Sequence, residues 1–245
     1  MSGHSKWSTI KRKKGAQDAK RGKLFTTLIK EITISAKIGG GDESSNPRLR
    51  QAILKAKAAN MPQDNIKRAI QKGTGDLPGV NYEEAVYEGY APGGVAILME
   101  VLTDNKNRTV ADIRHIMTKH GGSLGENGSV AWMFSKKGQV ILDISAGKEE
   151  AVMEAVLNSG GEDLELDEDC YIISTEPSAL MDVRLALEDD GYEVKSAEVE
   201  MIPTSLHSVD NEHVPQVLAL LEALDENEDI KNVYANVDLD ESMLD

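Results

Sequence analysis

Residues 76–82, DLPGVNY, separate two stretches of chain that follow different folding rules. Before this segment, apolar residues recur every three or four positions, the period of an α-helix packed on one side. After it, short runs with strand character alternate with helical ones, the pattern of α/β units. Charge changes at the same place. Residues 1–75 hold 17 Lys+Arg against 5 Asp+Glu, whereas residues 76–245 hold 10 against 37. A length of 245 residues allows one to three domains. A cationic module joined to an acidic body suits a polyanion that is to be gripped by one part only.

The first 23 residues carry eight Lys/Arg, one acid (Asp18) and glycines at 3, 15 and 22, without apolar periodicity. They read as an extended basic arm. From Leu24 a helix is expected, with Phe25, Leu28, Ile29 and Ile32 on one face and a stop at Gly39-Gly40-Gly41. Asn46-Pro47 has the chemistry of an N-cap followed by a first helical residue. The helix it opens turns Leu49, Ala52, Ile53 and Ala56 inward and Arg48, Arg50, Lys55 and Lys57 away. A third helix, from Pro62, buries Ile66, Ala69 and Ile70 and exposes Lys67, Arg68 and Lys72, with Gly73 as its expected stop. This predicts an N-terminal helical bundle with one cationic surface.

Beyond the linker, residues 84–90 and 94–102 read as strands turning at Ala91-Pro92-Gly93-Gly94, with the apolar VAILMEV central in its sheet. A helix using Val110, Ile113, Ile116 and Met117 follows, capped by Asn107 or Thr109 and closed by His120-Gly121-Gly122. A glycine-rich stretch leads to a short strand over 130–134. Strands at 140–144, 163–166, 170–175 and 192–201, with helices at 148–157 and 177–187, spell βαββαβ, the ferredoxin-like order. The last helix (Val214, Val217, Leu218, Leu221) and strand (233–237) lack local partners, so they are expected to return and complete the sheet begun at 84. The expected fold is α+β and multidomain: a helical bundle, then two α/β domains of ferredoxin-like type, the third inserted in the second. The boundaries are 1–76 for the basic helical domain, 77–134 plus 207–245 for the middle domain, and 135–206 for the insertion.

A catalytic constellation cannot be assembled, so no enzyme is expected. The five histidines fall on different elements, and His115 and His120 are five apart, not on one helical face. HExxH, GxSxG and CxxC are absent. The glycine run 121–128 follows a helix and precedes a strand, the reverse of a phosphate loop, and reads as a turn. The acids at 162–169 lack a calcium-loop framework. Cys170, alone in the sequence, rules out an intramolecular disulfide and reads as a core residue. Neither a metal nor a cofactor is implied. The longest apolar run, Val95 to Met99, is far too short for a membrane span, and no secretory signal is legible. A soluble protein of a reducing compartment is expected.

What remains is the basic surface. Lys6, Lys11, Arg12, Lys13, Lys14, Lys20, Arg21 and Lys23 would meet phosphates, and Arg48, Arg50, Lys55, Lys57, Lys67, Arg68 and Lys72 would extend that surface. Trp7 offers a base-stacking platform or, equally, a plug packed on the bundle. None of the helices has the Asn/Arg/Gln cluster that reads base edges.

The motifs GHSKW, KRKKGAQDAKRGKLF, NPRLRQAILKAKAANMP, EGYAPGGVA, DNKNRT and GSVAWMF resemble the YebC/PmpR family over essentially the whole chain. The resemblance implies three domains, the first helical and the others α/β. It also implies a DNA-binding transcriptional regulator or, alternatively, a ribosome-associated translation factor that relieves stalling at difficult stretches such as proline runs. Eukaryotic relatives are mitochondrial translational activators of cytochrome c oxidase, but GHSKW at residue 3 favours a bacterial cytoplasmic protein. The implied partner is DNA or ribosomal RNA, gripped through the arm from Lys6 to Lys23. The acidic domains are left to orient the bundle or to hold a protein partner. An acidic protein-interaction or ligand-sensing module is the third reading.

Overall fold

The computed structural model describes Trp7, residues 19–167 and residues 169–239, with the side chains of 19–21 left aside. Three helices come first: α1 (Ala19–Gly39), α2 (Pro47–Ala58) and α3 (Gln63–Thr74). Leu28, Ile32 and Ala36 of α1 pack on Leu49, Ala52, Ile53 and Ala56 of α2 and on Ile66 and Ala69 of α3. Asn46 caps α2 by accepting from the Leu49 amide, and its side-chain amide donates to the carbonyls of Ser35 and Gly40. One buried side chain thus ends α1 and starts α2.

Gly73 is not the stop of α3. The helix runs one residue further and ends on Gly75, in the left-handed region at φ +88°. Gly73 instead marks where α3 crosses α1: a Cβ there would lie 2.4 Å from the Thr33 carbonyl oxygen and 2.7 Å from the Ala36 methyl. Both neighbours are backbone-anchored and cannot yield. Gly73→Ala should therefore lower stability by about 1–3 kcal/mol through overpacking, read as an earlier midpoint in urea with unchanged m-value.

The next elements are β1 (Glu83–Tyr90), β2 (Ala96–Thr103), α4 (Lys106–Lys119) and β3 (Ser123–Leu124). The turn between β1 and β2 uses Gly93 and Gly94, both at positive φ. The cap of α4 is Asn105, not Asn107 or Thr109: its side chain accepts from the Arg108 amide, and Thr109 is buried inside the helix. Then come β4 (Phe134–Asp143), α5 (Glu149–Ser159), β5 (Asp163–Asp167), β6 (Cys170–Thr175), α6 (Leu180–Asp189) and β7 (Val194–Pro203). The chain closes with β8 (His207–Ser208), α7 (Val214–Glu226), β9 (Ile230–Ala235) and β10 (Val237–Asp238).

Two sheets of four strands result. The first has the order β3-β1-β2-β9, all antiparallel, so the last helix and strand do return to the sheet begun at β1. In β2 every residue but Glu100 is buried, as a central strand covered on both faces requires. Its core takes in Ile113 and Met117 of α4 and Val214, Val217, Leu220, Leu221 and Leu224 of α7. The second sheet has the order β5-β6-β4-β7, again antiparallel, which is the ferredoxin-like arrangement. Val140, Leu142, Tyr171 and Ile173 face α5 and α6 there, with Val152, Val156, Val183 and Leu187.

The expected strand over 130–134 is absent, and the third strand of the first sheet is β3, within the glycine run. Residues 131–133 form a single 3-10 turn, and Phe134 begins a ten-residue β4 that absorbs the strand expected at 140–144. The polar run Ser135 to Gln139 hid its first half. That half is held by its ladder to β7 rather than by apolar alternation. Among the described residues, 134–204 form one compact unit, and Trp7, 19–133 and 205–239 form the other, which contains both the helical module and the first sheet. Phe134, Ser205 and Leu206 thus fall on the other side of the partition from where the sequence boundaries put them.

Candidate nucleic-acid interface

The cations of the helical module sort into two sets. Lys57, at the C-terminal end of α2, and Lys67, Arg68 and Lys72 on α3 are exposed and make no ion pair with any described residue. The three on α3 share a helix with the buried Ile66 and Ala69, and Lys57 shares one with the buried Ile53 and Ala56, so the same helical period that buries each apolar face presents the charges. Arg68 and Lys72 are one turn apart. Lys55 is half-buried, and Arg50 is exposed while donating to the carbonyls of Glu43 and Ser44.

The other set is occupied within the protein. Arg48 lies between two carboxylates, 2.7 Å from Glu31 of α1 and 2.6 Å from Glu84 of β1. Burial works against its charge, yet the two carboxylates hold the guanidinium more firmly protonated than usual. Glu31 also meets Lys231 of β9 at 2.9 Å; burial pushes its carboxyl up, but Arg48 and Lys231 bring it below its ordinary range. Lys23 donates to the carbonyl of Asp225. Trp7 is 4% exposed and sits in the core of the first sheet among residues such as Val95 and Val214. An indole so placed has no free face for a base. Lys20 and Arg21 lie on the first turn of α1, and Lys6, Lys11, Arg12, Lys13 and Lys14 lie outside the described residues.

Two residues of consequence escaped sequence reasoning. Lys30 of α1 is 7% exposed and donates to the Leu102 and Glu228 carbonyls and, at 2.7 Å, to Asp229. The other Asp229 oxygen accepts from Arg108 and from the Thr109 hydroxyl, each at 2.7 Å. Burial raises the Asp229 carboxyl, but the hydrogen bonds from Arg108, Lys30 and Thr109 outweigh it and bring it down to about 2. The signal was a second apolar stripe: Ile34, also buried, lies one turn after Lys30, away from the Leu28–Ile32 face. The DNKNRT motif is thereby explained, since Asn105 caps the helix and Arg108 and Thr109 hold Asp229.

The second missed residue is Trp132, which is 71% exposed. Its turn is tied to β1 through Glu88, whose carboxylate accepts from the amides of Gly128 (2.6 Å), Val130 (2.7 Å) and Ala131 (2.8 Å). Burial raises the Glu88 carboxyl, and these three amides bring it net below its usual range. The glycine-rich loop therefore does gather amides around an anion, but the anion is the protein's own side chain. One group of possible metal ligands was not visible in the spacing: Asp210, Glu212 and His213 approach within 4.8 Å, with both carboxylates in open solvent. Exposed acids commonly gather so closely with no ion.

The comparisons with known proteins cover nearly the whole chain. The TACO1/YebC protein N-terminal domain matches residues 5–76, and the TACO1/YebC second and third domain matches residues 82–237. A probable transcriptional regulatory protein of Geobacter sulfurreducens is 55% identical over 239 residues, covering 98% of this chain and 96% of its own. One from Syntrophus aciditrophicus is 55% identical over 245 residues, covering 100% and 98%. The crystal structure of a conserved hypothetical protein from Aquifex aeolicus, 44% identical, aligns over 93% of this chain and 94% of its own with a TM-score of 0.85. With both domain families matched in order, and the same fold in a relative so similar in sequence, this chain belongs to the TACO1/YebC family.

Proposed function

We propose that this chain is a DNA-binding regulator of transcription that acts by binding rather than by catalysis, gripping phosphates through the helical module. The carrying observation is the exposed set Lys57, Lys67, Arg68 and Lys72, free of ion pairs among the described residues, on a module whose remaining described cations are mostly engaged internally. The curated relatives named as transcriptional regulators support it. The acidic remainder, with 37 Asp+Glu against 10 Lys+Arg, would keep the rest of the molecule off the polyanion. In this reading the basic arm, Lys6 to Arg21, adds contacts of the same kind, while Lys23 stays with the Asp225 carbonyl. The chain would work in the cytoplasm, with a protein partner for the acidic domains.

If roughly six cations each neutralise one phosphate, log K for duplex DNA should fall against log salt with a slope near −5. A slope near zero for the full-length protein would overturn the electrostatic account. The polymer is identified by ultraviolet cross-linking in cells with sequencing of both RNA and DNA. Reads at defined promoters are expected. Reads concentrated on one region of large-subunit ribosomal RNA would replace the transcriptional reading with that of a translation factor, whose target is a cleft in structured RNA.

A further inference from the structure

The geometry points to Trp132 as a stacking platform for an unpaired nucleobase, a contact separate from the phosphate-binding face. It rests on the proposed function and names what else the nucleic acid must offer: at least one base outside a duplex.

The other residues of the turn have structural work to do. Val130 is fully buried, and its amide and that of Ala131 go to Glu88. The Ser129 carbonyl accepts from the Tyr90 hydroxyl at 3.1 Å and from the Trp132 indole nitrogen at 3.1 Å. The Met133 amide closes the 3-10 turn on the Val130 carbonyl. Trp132 alone has its bulk in solvent, yet its ring is held at one edge by its own turn. Held this way it presents a face, not its N–H, to whatever comes.

An exposed indole already tied to its own turn by a hydrogen bond has less freedom to lose when it is covered, which is what a binding anchor requires. The choice of occupant follows from the surroundings. An indole that anchors a protein is ringed by apolar contacts that exclude water. Here no other large hydrophobic residue between Val86 and Ile144 is strongly exposed, and all of those intervening residues are described. The loop before it, GENGS, offers small and polar groups, and Leu124 ahead of it packs on the core. A base needs only a π-face and tolerates polar surroundings. The burial of Trp7 leaves Trp132 to supply such a face.

The test uses the full chain, as wild type and as Trp132→Ala, Trp132→Leu and Trp132→Tyr. Each is titrated with a single-stranded DNA of about 12 nucleotides and with a DNA duplex of the same length, at several salt concentrations. Since the side chain is exposed, all three variants should keep the wild-type melting temperature. Trp132→Ala and Trp132→Leu should bind the single strand about 5- to 100-fold more weakly with an unchanged salt slope, while Trp132→Tyr stays near wild type. Duplex binding should not change, and the single strand should quench an emission component that Trp132→Tyr lacks.

Equal single-strand binding by Trp132→Ala would overturn the stacking role and leave the phosphate interface standing. So would retention by Trp132→Leu, the mark of a merely apolar contact, or a loss confined to a protein that co-purifies with wild type. Absence of salt-dependent binding by the wild type to either probe would overturn the functional reading, and this inference with it.

Discussion

Asp229→Ala should be the most damaging single substitution outside the apolar cores, lowering stability by about 3–5 kcal/mol and the melting temperature by on the order of 10 °C. The substitution leaves the Lys30 ammonium buried with only carbonyls to meet it, and it also removes one of the acceptors near the Thr109 hydroxyl and one of the two for Arg108. An ion stranded in a desolvated site is worse than no ion. The paired change Lys30→Met with Asp229→Leu should therefore recover much of the loss. The two singles and the double together give the coupling directly. The same carboxylate sets an acid limit. Its folded value of about 2 lies below its ordinary 3.8, so the stabilisation is fully present above about pH 5 and disappears as pH falls through the folded value. Wild type should lose on the order of 1–2 kcal/mol over that window from this group, and Asp229→Asn should show a flatter acid limb in a denaturation series.

Neutralising the exposed face should have the largest effect on binding. Replacing Lys57, Lys67, Arg68 and Lys72 together by Gln should reduce the magnitude of the salt slope by about 3–4 and weaken duplex binding by about 10²–10³-fold near physiological salt. All four side chains are exposed and unpaired among the described residues, so the helical signal in circular dichroism should not change. Arg48→Gln provides the contrast. It breaks the ties to Glu31 and Glu84 and should affect melting more than the salt slope. A four-residue variant that binds with the wild-type slope would move the interface elsewhere on the molecule.

The helices were legible because their apolar period is undiluted. Leu49, Ala52, Ile53 and Ala56 could face only one way, and Asn46-Pro47 announces its own cap. The return of α7 and β9 to β2 followed from their lack of any nearby partner. β4 was only half legible, since its polar first half is held by cross-strand hydrogen bonds whose partner, β7, lies some sixty residues away. Gly73 and Gly75 could not be ranked from sequence. One is required for a close helix crossing and the other for a left-handed cap, and both requirements exist only once α3 meets α1.

The division is plainest among the charges and the tryptophans. Composition along the chain determines where positive charge is concentrated, because ionisation depends on residue type and the count needs no fold. Whether a given cation is available to a ligand depends on which carboxylates and carbonyls the fold brings beside it. Lys30 and Arg48 are held by Asp229 and by Glu31 and Glu84, partners remote in sequence, while Lys67 and Arg68 are not. Of two tryptophans in basic or glycine-rich stretches, packing buries Trp7 and hydrogen bonds to Glu88 and Ser129 hold Trp132 in solvent. Local pattern determined the elements, their order and the sign of each surface. The tertiary structure decided which side chains remain free to act, since desolvation and pairing are properties of a residue's neighbours in space.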